Sequence, residues 1–293
     1  YVLTRMEPRA IVYRRDGSFL RTWGEGLFTD RTHGLRIGPD DSVYIVDEGV
    51  NCVYKFSPSG ELLLTIGTEG VGKKGPAAQT GYDGTLESIT GGPHFNRPTN
   101  VAVAPNGDLY VSDGYGNCKV HQFSANGEHI RSWGDPGAGP GQFHLVHGVG
   151  VTADGRVVIA DRENDRLQFF SADGKFLEEW TDVQRPTNLD IDAEGRIYVS
   201  ELWWRVGQAS KVHGEATADK NARASVFSPD GKVLARWGHT VERTAAGGLI
   251  APHDICVDSR GDVYIAEVTN TFAVKPGAVP AGSHTLQKFV RLG

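Results

Sequence analysis

Three histidines recur at one fixed place in this sequence. His33, His147 and His253 each stand 14 positions ahead of an acid, namely Asp47, Asp161 and Glu267. Neutral imidazoles are common metal ligands, and three of them leave coordination positions open for water or substrate, as catalytic zinc sites require. The other seven histidines, His94, His121, His129, His144, His213, His239 and His284, fall outside that place. A lone histidine at the start of a strand is usually a capping or packing residue. The recurrence, not the residue type, is what favours the metal reading here.

The elements that must position these rings are repeats. The stretches THGLRIGPDDSVYIVD (32–47), PTNVAVAPNGDLYVSD (98–113), VHGVGVTADGRVVIAD (146–161), PTNLDIDAEGRIYVSE (186–201) and PHDICVDSRGDVYIAE (252–267) share one register. Self-similarity of this kind marks a repeat architecture. After each of the first four, two further apolar runs flank the turns PSG, ANG, ADG and PDG. Glycine supplies the positive φ that tight hairpins need, and alternation between the turns predicts strands. Each unit therefore reads as a four-stranded antiparallel meander. The segment 1–24, YVLTRMEPRAIVYRRDGSFLRTWG, matches the second to fourth strands of a unit, so its innermost strand is expected before Tyr1. The count becomes six, and the fold class an all-β, six-bladed β-propeller. Its blades run over about 1–24, 32–67, 97–134, 145–181, 185–238 and 251–293, in one domain covering 1–293. The excursions 68–96, 206–222 and 271–283 are expected to be loops.

In a propeller the first strand of each blade lines the central channel, and it starts beside the end of the second. The slot at that start holds His33, Thr99, His147, Thr187 and His253 in turn. Histidine thus falls on every second blade, with threefold spacing around the axis. Arg5 and Arg162 follow the second strands of blades one and four, and paired guanidiniums suit a carboxylate. Either arginine alone reads equally well as a surface residue bonded to blade loops. Tyr115, in SDGYGN, follows the second strand of blade three. Beside a cation and arginines its phenol would ionise more readily and could act as a base; loop packing is the alternative. The acids closing the second strands, Asp47, Asp113, Asp161, Glu201 and Glu267, are present in every full blade, which favours binding to loop amides. Arg166, Trp203 and Trp204 read as structural.

Composition narrows the function. The chain has 293 residues, 30 Lys plus Arg against 36 Asp plus Glu, and a net charge of −6. That balance gives no footprint for a nucleic-acid backbone. Three widely spaced cysteines, Cys52, Cys118 and Cys256, make neither a disulfide framework nor a thiolate zinc site. There is no apolar run long enough to span a membrane. No signal peptide is visible, although Tyr1 is not an initiator methionine, and the expectation is a cytoplasmic protein.

The stretches HFNRPTNVAVAPNGDLYVSDGYGN (94–117), GQFHLVHGVGV (141–151), ADRENDRLQFF (160–170) and APHDICV (251–257) carry a resemblance. The blades look like NHL repeats, and the whole chain resembles the peptidyl-α-hydroxyglycine α-amidating lyases. The resemblance implies a six-bladed propeller with zinc held by His33, His147 and His253. It implies Tyr115 as the active-site tyrosine and Arg5 and Arg162 as catalytic and substrate-binding arginines. It also implies a structural calcium, for which Asp254 and the Leu35 carbonyl are the matching ligands. A further carbonyl would come from the strand before Tyr1. Secreted animal members carry paired cysteines where this chain has Asn96 and Gly116, and Val158 and Phe169, which fits an intracellular or microbial member. The implied reaction cleaves an N-acyl-α-hydroxyglycine, peptide or small molecule, to an amide and glyoxylate. Two alternatives stand beside it. One is a metal-dependent hydrolase or lactonase on the same site. The other is a non-enzymatic NHL scaffold that binds protein or RNA.

Overall fold

The computed structural model describes residues 1–68, 70–75, 85–89, 91, 94–210, 214–239 and 242–292. The fold class is the expected one, an all-β six-bladed β-propeller. Blade one is Val2–Leu3, Ala10–Tyr13 and Phe19–Trp23. Blade two is Thr32–Ile37, Val43–Asp47, Cys52–Phe56 and Leu62–Gly67, with Gly70–Val71 as a fifth strand. Blade three is Pro98–Val103, Leu109–Asp113, Lys119–Phe123 and His129–Trp133. Blade four is Val146–Val151, Val157–Asp161, Arg166–Phe170 and Phe176–Trp180. Blade five is Pro186–Ile191, Ile197–Glu201, Arg223–Phe227 and Val233–Trp237, and blade six is Pro252–Val257, Val263–Glu267 and Leu286–Phe289.

Two of the expectations need correction. Blade six has three strands among the described residues, not the four expected of each unit. The excursions are not wholly loop. The first contains Gly70–Val71 and a 3₁₀ turn, Leu86–Ser88; the second a short hairpin, Ala209–Ser210 with Gly214–Glu215; the third a π-helical turn, Asn270–Val274. The rest of the Gly-rich excursion, at 69, 76–84, 90 and 92–93, lies outside the described residues, as does His213.

The chain forms two compact units, Tyr1–Val149 and Gly150–Gly293. In the first unit the second strand of blade two is buried on both faces. Val43 and Ile45 join Ala10, Phe28, Tyr54 and Phe56 in one core, while Tyr44 and Val46 join Val101, Leu109, Val111 and Phe123 in another. The two-residue period of a strand sends alternate side chains to opposite neighbours. The second unit repeats the device in blade five. Ile197 and Val199 pack with Val158, Leu167 and Leu189, while Tyr198 packs with Ile255 and Ile265. Long apolar runs in the second strands are thus the signature of sheets covered on both sides. No helix among the described residues is long and apolar enough to cross a membrane.

Candidate metal centre and active site

The histidine slot is a β-bulge. Thr32 pairs with Asp47 and Gly34 with Val46, so His33 is the extra residue between them. The same skip occurs at Thr99, Thr187 and His253. A bulge breaks the ladder at one residue and re-aims its side chain. Past the bulge the regular pairing resumes, so a single residue is redirected without moving the core pattern.

The two residue types use the slot differently. Thr99 Oγ1 lies 2.8 Å from Ser112 Oγ and 3.0 Å from the carbonyl of Val146. Thr187 Oγ1 repeats this with Ser200 Oγ at 2.8 Å and the Pro252 carbonyl at 3.1 Å. Val146 and Pro252 are the residues just before His147 and His253. Each buried threonine therefore braces the backbone that carries a histidine.

Within the first unit, His33 and His147 meet at Tyr115. The Tyr115 hydroxyl is 3.0 Å from His33 Nε2 and 3.0 Å from His147 Nε2, and the two imidazole centroids are 4.8 Å apart. His33 Nδ1 is 2.7 Å from the Thr99 carbonyl. A carbonyl only accepts, so Nδ1 carries the proton and, in the neutral ring, the Nε2 lone pair faces the phenol. The loop holding Tyr115 presses close to the strand of His147. A Cβ on Gly114 would come within 1.9 Å of the Val146 carbonyl, so only glycine fits there.

In the second unit, His253 holds the bulge of blade six and is half-buried. The neighbouring Asp254 carboxylate accepts from Asn188 Nδ2 and from the Ile255 amide. Leu35, the other residue of the calcium expectation, lies in the first strand of blade two, in the first unit.

The arginines are held by two buried acids that sequence reasoning missed. In the first unit Glu48, 1% exposed, receives Arg31 Nη2 at 2.8 Å and Arg97 Nε at 3.0 Å. Arg5 Nη2 is farther away, 3.8 Å from the same carboxylate, and its side chain remains 39% exposed. Arg97 lays its guanidinium over the Tyr115 ring, 5.0 Å from the centroid. In the second unit Glu163 takes Arg162 Nε and Arg185 Nη2, both at 2.8 Å, and Arg185 lies 4.7 Å over the Trp204 ring. Burial pushes the Glu163 carboxyl up, but Arg162 and Arg185 outweigh it and hold the carboxyl down at about 2. The backbones match as well. The amide of Arg97 donates to Asn51 Oδ1, and that of Arg185 to Asp165 Oδ1. Asn51 and Asp165 are the left-handed caps of the 3₁₀ turns Glu48–Val50 and Arg162–Asn164. The repeated RPTN at 97–100 and 185–188 was the available signal.

The acids closing the second strands bind backbone. Asp47 accepts from the amides of Thr29 and Gly49, Asp113 from Asn96, Glu201 from Gln184, and Glu267 from Ile250 and Ala251. Asp161 instead gathers Asn164, Gln168 and Arg166, which accounts for Arg166 as structural. Trp204 Nε1 donates to Asp165.

The NHL-repeat pattern matches residues 95–123. The chain is 35% identical over 258 residues to peptidyl-glycine alpha-amidating monooxygenase A of Xenopus laevis, covering 85% of the chain and 24% of that protein. It is 33% identical over 277 residues to NHL repeat-containing protein 3 of Mus musculus, covering 89% of the chain and 70% of that protein. Peptidyl-alpha-hydroxyglycine alpha-amidating lyase 1 of Drosophila melanogaster is 28% identical, with 84% of the chain and 44% of that protein covered. The chain thus spans about a quarter of the Xenopus protein and under half of the Drosophila one. Among solved structures, streptogramin B lyase shares the fold at a TM-score of 0.55 and 14% identity, covering 100% of this chain and 83% of that one. The chain belongs to the NHL-repeat family, in the group of the peptidyl-α-hydroxyglycine α-amidating lyases and NHL repeat-containing protein 3.

Proposed function

We propose that this chain is a zinc-dependent carbon–nitrogen lyase that cleaves an N-acyl-α-hydroxyglycine to an amide and glyoxylate. The observation that carries the reading is the Tyr115 hydroxyl held between the Nε2 atoms of His33 and His147. One phenolic proton faces two ring nitrogens, one of them fixed as an acceptor by the Thr99 carbonyl, so the donor set suits a cation. His253, in the same bulge slot of blade six, is the proposed third ligand. Zinc bound there supplies Lewis-acid stabilisation of developing negative charge. Asp254 and the Leu35 carbonyl are the proposed contribution to a structural calcium.

The rest is chemistry of the chain's own groups. Arg5 and Arg162 grip the substrate carboxylate. Tyr115, ionised to the phenolate once the cation is bound, takes the proton from the α-hydroxyl. The carbon–oxygen double bond forms as the carbon–nitrogen bond breaks, and the same proton returns to the departing amide nitrogen. Water is not consumed. Zinc-loaded protein incubated with α-hydroxyhippurate is expected to release glyoxylate and benzamide in equal amounts. No glyoxylate from fully loaded protein, against that substrate or a panel of N-acyl-hydroxyglycines, overturns the reading.

A second reading is a non-enzymatic NHL scaffold that binds without turnover, since the fold by itself does not imply the chemistry. A protein that holds no metal and turns over no substrate would select it.

A further inference from the structure

A second group of three histidines lies in the first unit, on blade three. One ring nitrogen from each of His94, His121 and His129 lies within 4.8 Å of the others. His121 is on the third strand, His129 starts the fourth, and His94 precedes Phe95 at the entry to the blade. Phe95 and Phe123 flank the rings. Aromatic packing explains flat side chains there, but not why all three are imidazoles with converging nitrogens.

The hydrogen bonds of His121 already orient it as a ligand would be. His121, 2% exposed, has Nε2 3.1 Å from the fully buried Asp113 carboxylate. The carboxylate accepts, so Nε2 carries the proton and, in the neutral ring, Nδ1 presents its lone pair. That Nδ1 is 2.7 Å from Ser132 Oγ, and His129 Nε2 is 2.8 Å from the same oxygen. Two imidazole nitrogens are thus aimed at one small hydroxyl. A buried carboxylate behind a histidine is the usual outer partner of a metal-bound imidazole.

We propose that His94, His121 and His129 form a second site for a divalent transition-metal cation, separate from the site at Tyr115. Three imidazoles with no carboxylate among the ligands select zinc, nickel or copper over calcium or magnesium. One rearrangement is required. His94 and His129 are stacked, with centroids 4.3 Å apart and planes 13° apart, so one ion cannot lie in both ring planes. His129 is exposed and can swing off the stack to share the ion with His121.

The test is metal stoichiometry of the full chain, stripped with chelator and titrated with cobalt(II) and, in parallel, dialysed against zinc. Wild type is expected to hold two equivalents. A His94→Ala, His129→Ala double variant is expected to lose one, weakened by more than the roughly 10–100-fold that loss of an outer-shell partner costs. His33→Ala is expected to keep the equivalent that the double variant loses, so failure of either site is read separately. One equivalent in wild type that the double variant keeps, no metal bound in wild type, or two equivalents with unchanged affinity in the double variant, overturns the proposal. Should the double variant misfold, the wild-type His129 imidazole resonances decide: broadening by the second cobalt equivalent supports the site, and its absence overturns it.

Discussion

The Tyr115 hydroxyl has one proton and two imidazole nitrogens to face, and what it can do follows from that mismatch. Tyr115→Phe removes the proposed proton acceptor while leaving His33 and the ring's place under Arg97 intact. Its metal content is expected to match wild type, with turnover down by about 10²–10⁴-fold, the usual worth of a positioned acid–base group. Unchanged turnover of α-hydroxyhippurate would remove Tyr115 from the chemistry. Thr99 makes a different point. It is fully buried and bridges Ser112 and the carbonyl ahead of His147. Thr99→Val leaves those acceptors unsatisfied, which costs about 1–3 kcal/mol of stability. Because the bridge also braces the His147 backbone, zinc affinity is expected to fall by about 10–100-fold; a competitive chelator titration measures it. The alternation of histidine and threonine was legible in the sequence. That the slot is a bulge was not, because a skipped residue in one strand shows only against its partner's register.

Elements of blades two and four carry the same device, an acid just past the second strand that fixes an arginine from the next blade. Glu163 shows its electrostatic consequence. Its carboxyl titrates at about 2 in the fold, against an ordinary value of 4.5, because Arg162 and Arg185 outweigh burial. A depressed carboxyl contributes stability that is fully present above its unfolded value and is lost as pH falls through its folded one. Glu163→Gln breaks a buried pair and is expected to cost about 3–5 kcal/mol at pH 7. That deficit should shrink as pH falls from about 4.5 towards about 2, where wild type itself loses the charge. Urea unfolding of both proteins across that range checks it, and a deficit independent of pH would show that packing, not charge, holds the pair. Strands and hairpins here were readable from alternation and PDG-type turns. The acid–arginine hubs were not, since a single Glu after a strand looks like surface charge until Arg97 or Arg185 arrives from the following blade.

At the scale of the whole molecule, the proposed metal and the fold are expected to be separable. Each compact unit has apolar cores of its own, built from second and third strands and from neighbouring blades. None of those cores includes His33, His147 or His253. The repeat count was legible because strand pairs of one register recur, whereas the three strands that blade six shows among the described residues were not, because the four-stranded pattern of the other units was carried over to it. Stripping the metal should therefore abolish turnover without unfolding the sheets, unlike a small zinc-nucleated domain that is unfolded without its ion. The far-UV signal of chelator-treated protein is expected to stay that of a β-protein. Its midpoint of thermal unfolding should fall only by the mass-action amount, about 2.7 kcal/mol of stabilisation at a hundredfold excess of free zinc over its dissociation constant. Turnover should return on adding zinc. Loss of the β signal on stripping would mean that the ion holds the blades in place, and the histidines would then have to be counted as part of the fold.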